Sequence, residues 1–341
     1  MWKYLLLIYF GLIIVSDFTE YVLNIPVWDQ ASRTATCYDW FEQYLENDYD
    51  RNKDYSEGIF ENNYSMTLQE ATVNKYEYIF NKLELKPGMK LLDAGCGTGV
   101  WMEFCRSKGI DVVGMTLSPE QAQLVKNKGL TVYVGDYRIL NESFINQFDR
   151  ITALGSSEHV CTSVGSLSGS AAADRCNKIR IDTWNLFYQY LKPSGKVYIT
   201  VITTNPIARW SYIDWIQTYF LERHYGGYYS SMNDIETKVI PKIGFKLTDI
   251  QDKTKDYHWS SVADPDHFGH WYIKWHENTS NKVIYFVKGM LTDLYLIHHW
   301  MYYILDTWMW QFGGYQETPM TDEQVLNSPM LLKYFMLEMI E

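Results

Sequence analysis

The sequence has no C-x-x-C pair, no G-x-G-x-x-G, no G-K-[ST] phosphate loop and no apolar run long enough to cross a bilayer. Its five cysteines, Cys37, Cys96, Cys105, Cys161 and Cys176, show neither a disulfide framework nor zinc spacing, so reduced thiols and no metal site are expected. Positive charge is also scarce. Thirty basic against 41 acidic residues give a net charge of -11, which disfavours a broad grip on nucleic acid or anionic lipid. Any lipid contact would have to be apolar or local. The apolar run from Tyr4 to Val15 falls short of the roughly 20 residues a transmembrane helix needs. It has the length of a signal-peptide core, but no clear small-x-small cleavage site follows. Residues 1–23 are therefore expected to contact a membrane as an anchor or interfacial helix on the cytoplasmic side, with a signal peptide or a buried helix as alternatives. Asn63, Asn141 and Asn278 stand in glycosylation triplets, which also arise by chance.

What is present points to a large packed core: 47% of residues are hydrophobic and 21% charged. Aromatics reach 16%, many of them after Trp184, which suits either an apolar pocket or an aromatic-rich core. Residues 24–66 read as a short helix and a loop. From Thr67, "TLQEATVNKYEYIFNKLEL" repeats apolar residues near 3.6 spacing and stops at "KPG". "KLLDAG", "DVVGMTL", "TVYVGD", "FDRITALGS" and "KVYITVI" read as strands. "TGVWMEFCRSKG" and "SPEQAQLVKNKG" read as helices, the second with Ser118 as N-cap and Pro119 at its first position. Alternating strands and helices predict an α/β fold with a doubly wound parallel sheet. The stretch 160–178, rich in small residues, reads as a surface loop or mobile lid, and residues 204–341 as a helical, aromatic region covering the ligand edge of the sheet.

The first strand-to-helix turn carries Asp93, Gly95, Gly97 and Gly99. In doubly wound sheets this turn gives the closest backbone approach to a ligand. Its G-x-G-x-G spacing disfavours a dinucleotide pyrophosphate, and with it a nicotinamide dehydrogenase.

"LLDAGCGTG" resembles the first motif of class I S-adenosylmethionine-dependent methyltransferases. The ordered set "YSEGIF", "LKPGMKLLDAGCGTG", "VVGMTLSPEQ", "GDYRIL", "GSSEHV" and "LKPSGKVYITVI" is similar to the cyclopropane fatty acid synthase family, which includes mycolic acid cyclopropane synthases and coclaurine N-methyltransferase-like enzymes. The likeness covers about Tyr55 to Ile202 and continues more weakly through "DHFGHWYIKW". It implies a methyltransferase domain over 67–341 behind a cofactor-lid segment at 24–66, with S-adenosylmethionine as cofactor and a hydrophobic small molecule or lipid as acceptor. By the same resemblance, Tyr55 and Ser56 would close over the cofactor carboxylate, and Gly95 and Gly97, after Asp93, would line its amino acid portion. Thr116 and Gln121 would meet the ribose, and Asp136 and Tyr137 the adenine.

In this family a bicarbonate held by cysteine, glutamate, histidine and tyrosine removes the proton that closes the ring. Here Glu158 keeps the glutamate. Glu57 stands for the cysteine, Thr200 for the histidine and Phe268 for the tyrosine, which puts bicarbonate in doubt. The expectation is that Glu57 brings its own carboxylate, and that two carboxylates in one apolar pocket hold a base near neutrality. The pair Glu158 and His159 is also kept by related N-methyltransferases, so methylation of an amine is the alternative. A tethered cofactor-binding protein without catalysis is the third reading.

Overall fold

The computed structural model describes residues 11, 15, 30–45, 54, 56–162, 169–263 and 318–340. Nearly all of the apolar N-terminal segment lies outside them. No helix among the described residues is long and apolar enough to cross a membrane.

The elements expected from Thr67 onward form for local reasons. Helix α1 spans Gln30–Leu45. Helix α2, Leu68–Lys82, opens on a capping box in which Thr67 and Glu70 satisfy each other's backbone N–H. Strand β1 (Lys90–Ala94) is buried along almost its whole length, as a parallel strand covered on both faces must be. Then come α3 (Val100–Ser107), β2 (Asp111–Thr116), α4 (Pro119–Asn127, capped by Ser118), β3 (Thr131–Val134) and β4 (Phe148–Leu154). Helix α5 (Gly169–Tyr190) leads into β5 (Leu191–Thr204), and α6 spans Tyr212–Tyr225.

The region after Thr204, expected to be helical, also supplies two strands, β6 (Phe245–Asp252) and β7 (Met330–Met339), around α7 (Thr254–Ala263) and α8 (Asp322–Asn327). The sheet runs β3-β2-β1-β4-β5-β7-β6. Its first five strands are parallel, and β7 lies antiparallel between β5 and β6. The order reverses between β1 and β4, so the carboxyl edge there is the place for a ligand.

Two expectations need correction. The 160–178 stretch is not a loop throughout, because α5 begins at Gly169. Nor are all thiols reduced: Cys161 and Cys176 form a disulfide that ties the end of the turn after β4 to α5. Their separation of 15 residues matches no short-range motif, so spacing alone did not reveal it. Cys37, Cys96 and Cys105 are buried and form no disulfide.

Candidate active site

A cavity of about 240 Å³ opens at the carboxyl edge of the sheet, lined by the glycine turn, the ends of β2 and β4, helix α1, Tyr225 at the end of α6 and Tyr229 beyond it. Register builds its floor: Asp93 pairs with Gly114 and Ala94 with Met115, so the Gly95 and Cys96 N–H groups both donate to the Met115 carbonyl. The chain then turns through Gly95, Gly97 and Gly99, all at positive φ. At Gly97 an added Cβ would meet nothing within 4 Å. The turn therefore leaves a backbone cradle open to a ligand.

Most of the residues expected to hold the cofactor line this cavity: Ser56, Asp93, Gly95, Gly97, Thr116, Gln121, Asp136 and Tyr137. Tyr55 lies outside the described residues. Thr116 donates from its hydroxyl to the Gln121 side-chain oxygen at 2.9 Å, which leaves the Gln121 amide N–H groups oriented by a fixed partner. Asp93 is buried, accepts from the Thr152 hydroxyl at 2.9 Å, and is pushed by burial to a pKa of about 7. Asp136 differs from a free carboxylate, because Arg138 pairs with it at 2.5 Å and also donates its backbone N–H. Tyr137 donates its hydroxyl to the Ser156 carbonyl at 2.7 Å, which fixes the ring.

Glu57, Glu158 and His159 line the same cavity; the two carboxyls are buried and His159 is half-buried. Beyond Leu154, which pairs with Thr200, β4 leaves β5 and the chain turns Glu158 into the cavity, where its own backbone and that of Ile202 act to lower its pKa. Burial still raises Glu158 to about 7, with Glu57 adding to the rise and Arg180 opposing it. Glu57 accepts a hydrogen bond from the Tyr334 hydroxyl on β7. Burial raises Glu57 as well, against the pull of Lys75 and Tyr334. His159 is held neutral, lowered by burial to about 4, and its Nε2 sits 3.0 Å from the Tyr38 hydroxyl. Thr200 accepts the Gly155 N–H at 2.8 Å and so is engaged in the strand end, while Phe268 lies outside the described residues.

Several members of the site carried no motif. Tyr38 comes from α1, which is pinned by Gln30 to the His159 carbonyl at 2.8 Å and by Thr34 to the Tyr225 carbonyl at 3.1 Å. One residue on, Asp39 accepts from the Ser118 hydroxyl and the Glu120 N–H, so α1 touches both the start of α4 and the His159 side of the cavity. Asp54 receives Lys75 at 2.7 Å and the Tyr76 hydroxyl at 2.5 Å. Although burial acts to raise it, Lys75 holds Asp54 well below the usual carboxylate range. The nearest signal was the aromatic richness of the chain, which gave no positions.

Residues 28–306 match the family described as mycolic acid cyclopropane synthetase. Curated relatives include a probable fatty acid methyltransferase of Mycobacterium tuberculosis, 40% identical over 106 residues, covering 29% of this chain and 24% of that protein. The cyclopropane-fatty-acyl-phospholipid synthase of Escherichia coli is 41% identical over 98 residues, 27% of this chain and 25% of its own. Cyclopropane mycolic acid synthase 1 of M. tuberculosis is 40% identical over 129 residues, 36% of this chain and 42% of its own. The chain thus aligns with less than half the length of each. Among solved structures, the cyclopropane synthase MmaA2 of M. tuberculosis superposes with a TM-score of 0.65 at 21% identity, covering 92% of this chain and 99% of that one. Mycolic acid cyclopropane synthase CmaA1, complexed with SAH and CTAB, gives 0.62 at 20% identity with the same coverage. The [4+2]-cyclase SpnF follows at 0.60 and 16%, covering 92% and 97%, so the fold by itself does not name a reaction. The family match spans most of the sequence and contains the glycine turn, Glu57, Glu158 and His159, and on that match the chain belongs to the mycolic acid cyclopropane synthetase family.

Proposed function

We propose that the chain is an S-adenosylmethionine-dependent methyltransferase that delivers a one-carbon unit to an unsaturated acyl chain of a lipid. The observation that carries this reading is the meeting, in one cavity, of the open glycine cradle with two buried carboxylates, Glu57 and Glu158. The bound SAH of CmaA1 and the names of the curated relatives support the cofactor and the acceptor class.

The cofactor supplies a methyl group activated on sulfonium. The protein's own work is to hold the acceptor in line, keep water out and take a proton. When the alkene electron pair forms the new C–C bond, the S–CH3 bond breaks and its pair stays on sulfur. One proton must then leave the added carbon so that its C–H pair closes the ring. Glu158 suits that removal: it is raised to about 7, and its Oε2 has no hydrogen-bond partner. Glu57, a second buried carboxyl in the cavity and the residue that stands for the family's cysteine, brings its own carboxyl group in place of the bicarbonate. Tyr38, Tyr225, Tyr229 and Tyr257 line the same cavity, and aromatic rings there would stabilise that cation.

A second reading has its own support. Neutral His159, 3.0 Å from the Tyr38 hydroxyl, could take a proton from an amine acceptor. Both readings are tested by feeding expressing cells methionine with a deuterated methyl group and analysing total lipids and amines by mass spectrometry. Acyl chains retaining two deuteriums, lost in Glu158→Gln, support ring closure. Three deuteriums on an amine, with unlabelled acyl chains, would replace it with N-methylation. Cofactor binding with no labelled product would leave only the binding role.

A further inference from the structure

Behind the Glu158 turn lies a group that neither the motif set nor the cavity lining includes. Arg180, on α5, is 1% exposed. Its Nη1 donates to the Ser230 hydroxyl at 2.8 Å, while Nε and Nη2 have no hydrogen-bond partner, and no carboxylate is in ion-pair contact with it among the described residues. Burying a guanidinium with donors unmet is costly unless an opposite charge offsets it. The groups whose charges it feels are Glu158 first, then Tyr228, Tyr137 and Asp234. The segment it grips is the one that holds Glu158: the Tyr228 N–H donates to the Glu158 carbonyl at 2.9 Å, and the Ser230 carbonyl accepts the Thr204 N–H at 3.2 Å, next to the end of β5.

We propose that Arg180 is a positioning residue of the active site: through Ser230 it holds residues 228–230 against the Glu158 turn, and its buried guanidinium brings a positive charge to that side of the site. The Glu57 carboxyl, which lines the same cavity, acts on Glu158 in the opposite sense, and the phenols of Tyr38, Tyr137 and Tyr229 complete its titratable surroundings among the described residues, with neutral His159 adjacent in sequence. Arg180 thereby offsets part of what Glu57 and burial do to Glu158. The catalytic part of this proposal rests on the role given to Glu158 above.

The test is chosen to read Glu158 without turnover. In the full-length protein, the infrared carbonyl band of protonated Glu158, assigned by its disappearance in Glu158→Gln, is titrated with pH. In Arg180→Met the midpoint is expected to rise by about one unit or more, while Arg180→Lys stays within about half a unit of the wild type. Should Arg180→Met fail to fold, Arg180→Gln, which keeps a donor for Ser230 without the charge, is read in the same way. A wild-type midpoint in a folded, uncharged variant overturns the proposal. Where labelled product is formed, the acid limb of kcat/KM is expected to move with the band. A protein that transfers no methyl group but shows the shift would sink the functional reading and leave the role of Arg180 standing.

Discussion

A methyl group added to Gly95 would lie 2.4 Å from the Ser156 Cβ, on a backbone at φ +90°. Both the clash and the conformation oppose any side chain there, so Gly95→Ala is expected to destabilise the fold by about 2–4 kcal/mol in urea denaturation. Gly97 separates stability from binding. Its φ of +52° carries a smaller penalty, about 1 kcal/mol, and no neighbour is met. Gly97→Ala should therefore stay folded yet bind S-adenosylmethionine at least tenfold more weakly by calorimetry, because the new Cβ enters the cradle. Unchanged affinity would mean that the ligand does not approach this turn. These glycines were legible in the sequence because a turn chemistry has a fixed spacing. Tyr38 and Tyr334 were not, since nothing local distinguishes a tyrosine that meets His159 or Glu57 from one packed in a core.

The same division holds for elements. Strands β1 to β5 announce themselves as apolar runs between helices with proper caps, such as Ser118 before α4. Strands β6 and β7 do not, because their state is decided by pairing with each other and with β5 across a long stretch of chain. Helix α5 was hidden by its small residues, and its tie to the Glu158 turn by the distance between Cys161 and Cys176 in sequence. That disulfide closes a loop with a separation of 15 residues, which in the chain-entropy account stabilises by about 3 kcal/mol. Cys161→Ser with Cys176→Ser is expected to lower the unfolding free energy by about 2–3 kcal/mol, and a reductant should do the same to the wild type. Because Arg180 lies one turn beyond Cys176, the double variant should also speed amide hydrogen exchange in residues 157–162. An unaltered melt with and without reductant would show that the two thiols are not joined in solution.

For the whole molecule, buried titratable groups set a pH dependence whose sign can be worked out. Glu158 and Asp93 are raised by burial to about 7, so the folded chain keeps protons that the unfolded chain, near 4.5 and 3.8, has already lost. Their contribution is full at low pH and falls as pH rises toward 7. His159, lowered from 6.5 to about 4, acts in the opposite direction: its contribution is lost as pH falls through that window. Replacing Glu158 isolates one arm. Relative to the wild type, Glu158→Gln should gain on the order of 3 kcal/mol between pH 4.5 and 7 and then level off. A difference that does not vary with pH would mean that Glu158 titrates as an ordinary carboxyl.

Strand β7 joins the sheet from residues 330–339 and is inserted between two strands translated earlier. Until it emerges from the ribosome, β5 and β6 each present an unpaired edge, and Glu57, near the other end of the sequence, has no Tyr334 to donate to it. The cavity therefore cannot mature on a partly synthesised chain. Premature termination before Met330 would yield a product with two open sheet edges and an incomplete carboxylate pair, a species fated for aggregation or proteolysis rather than for slow, mistaken chemistry.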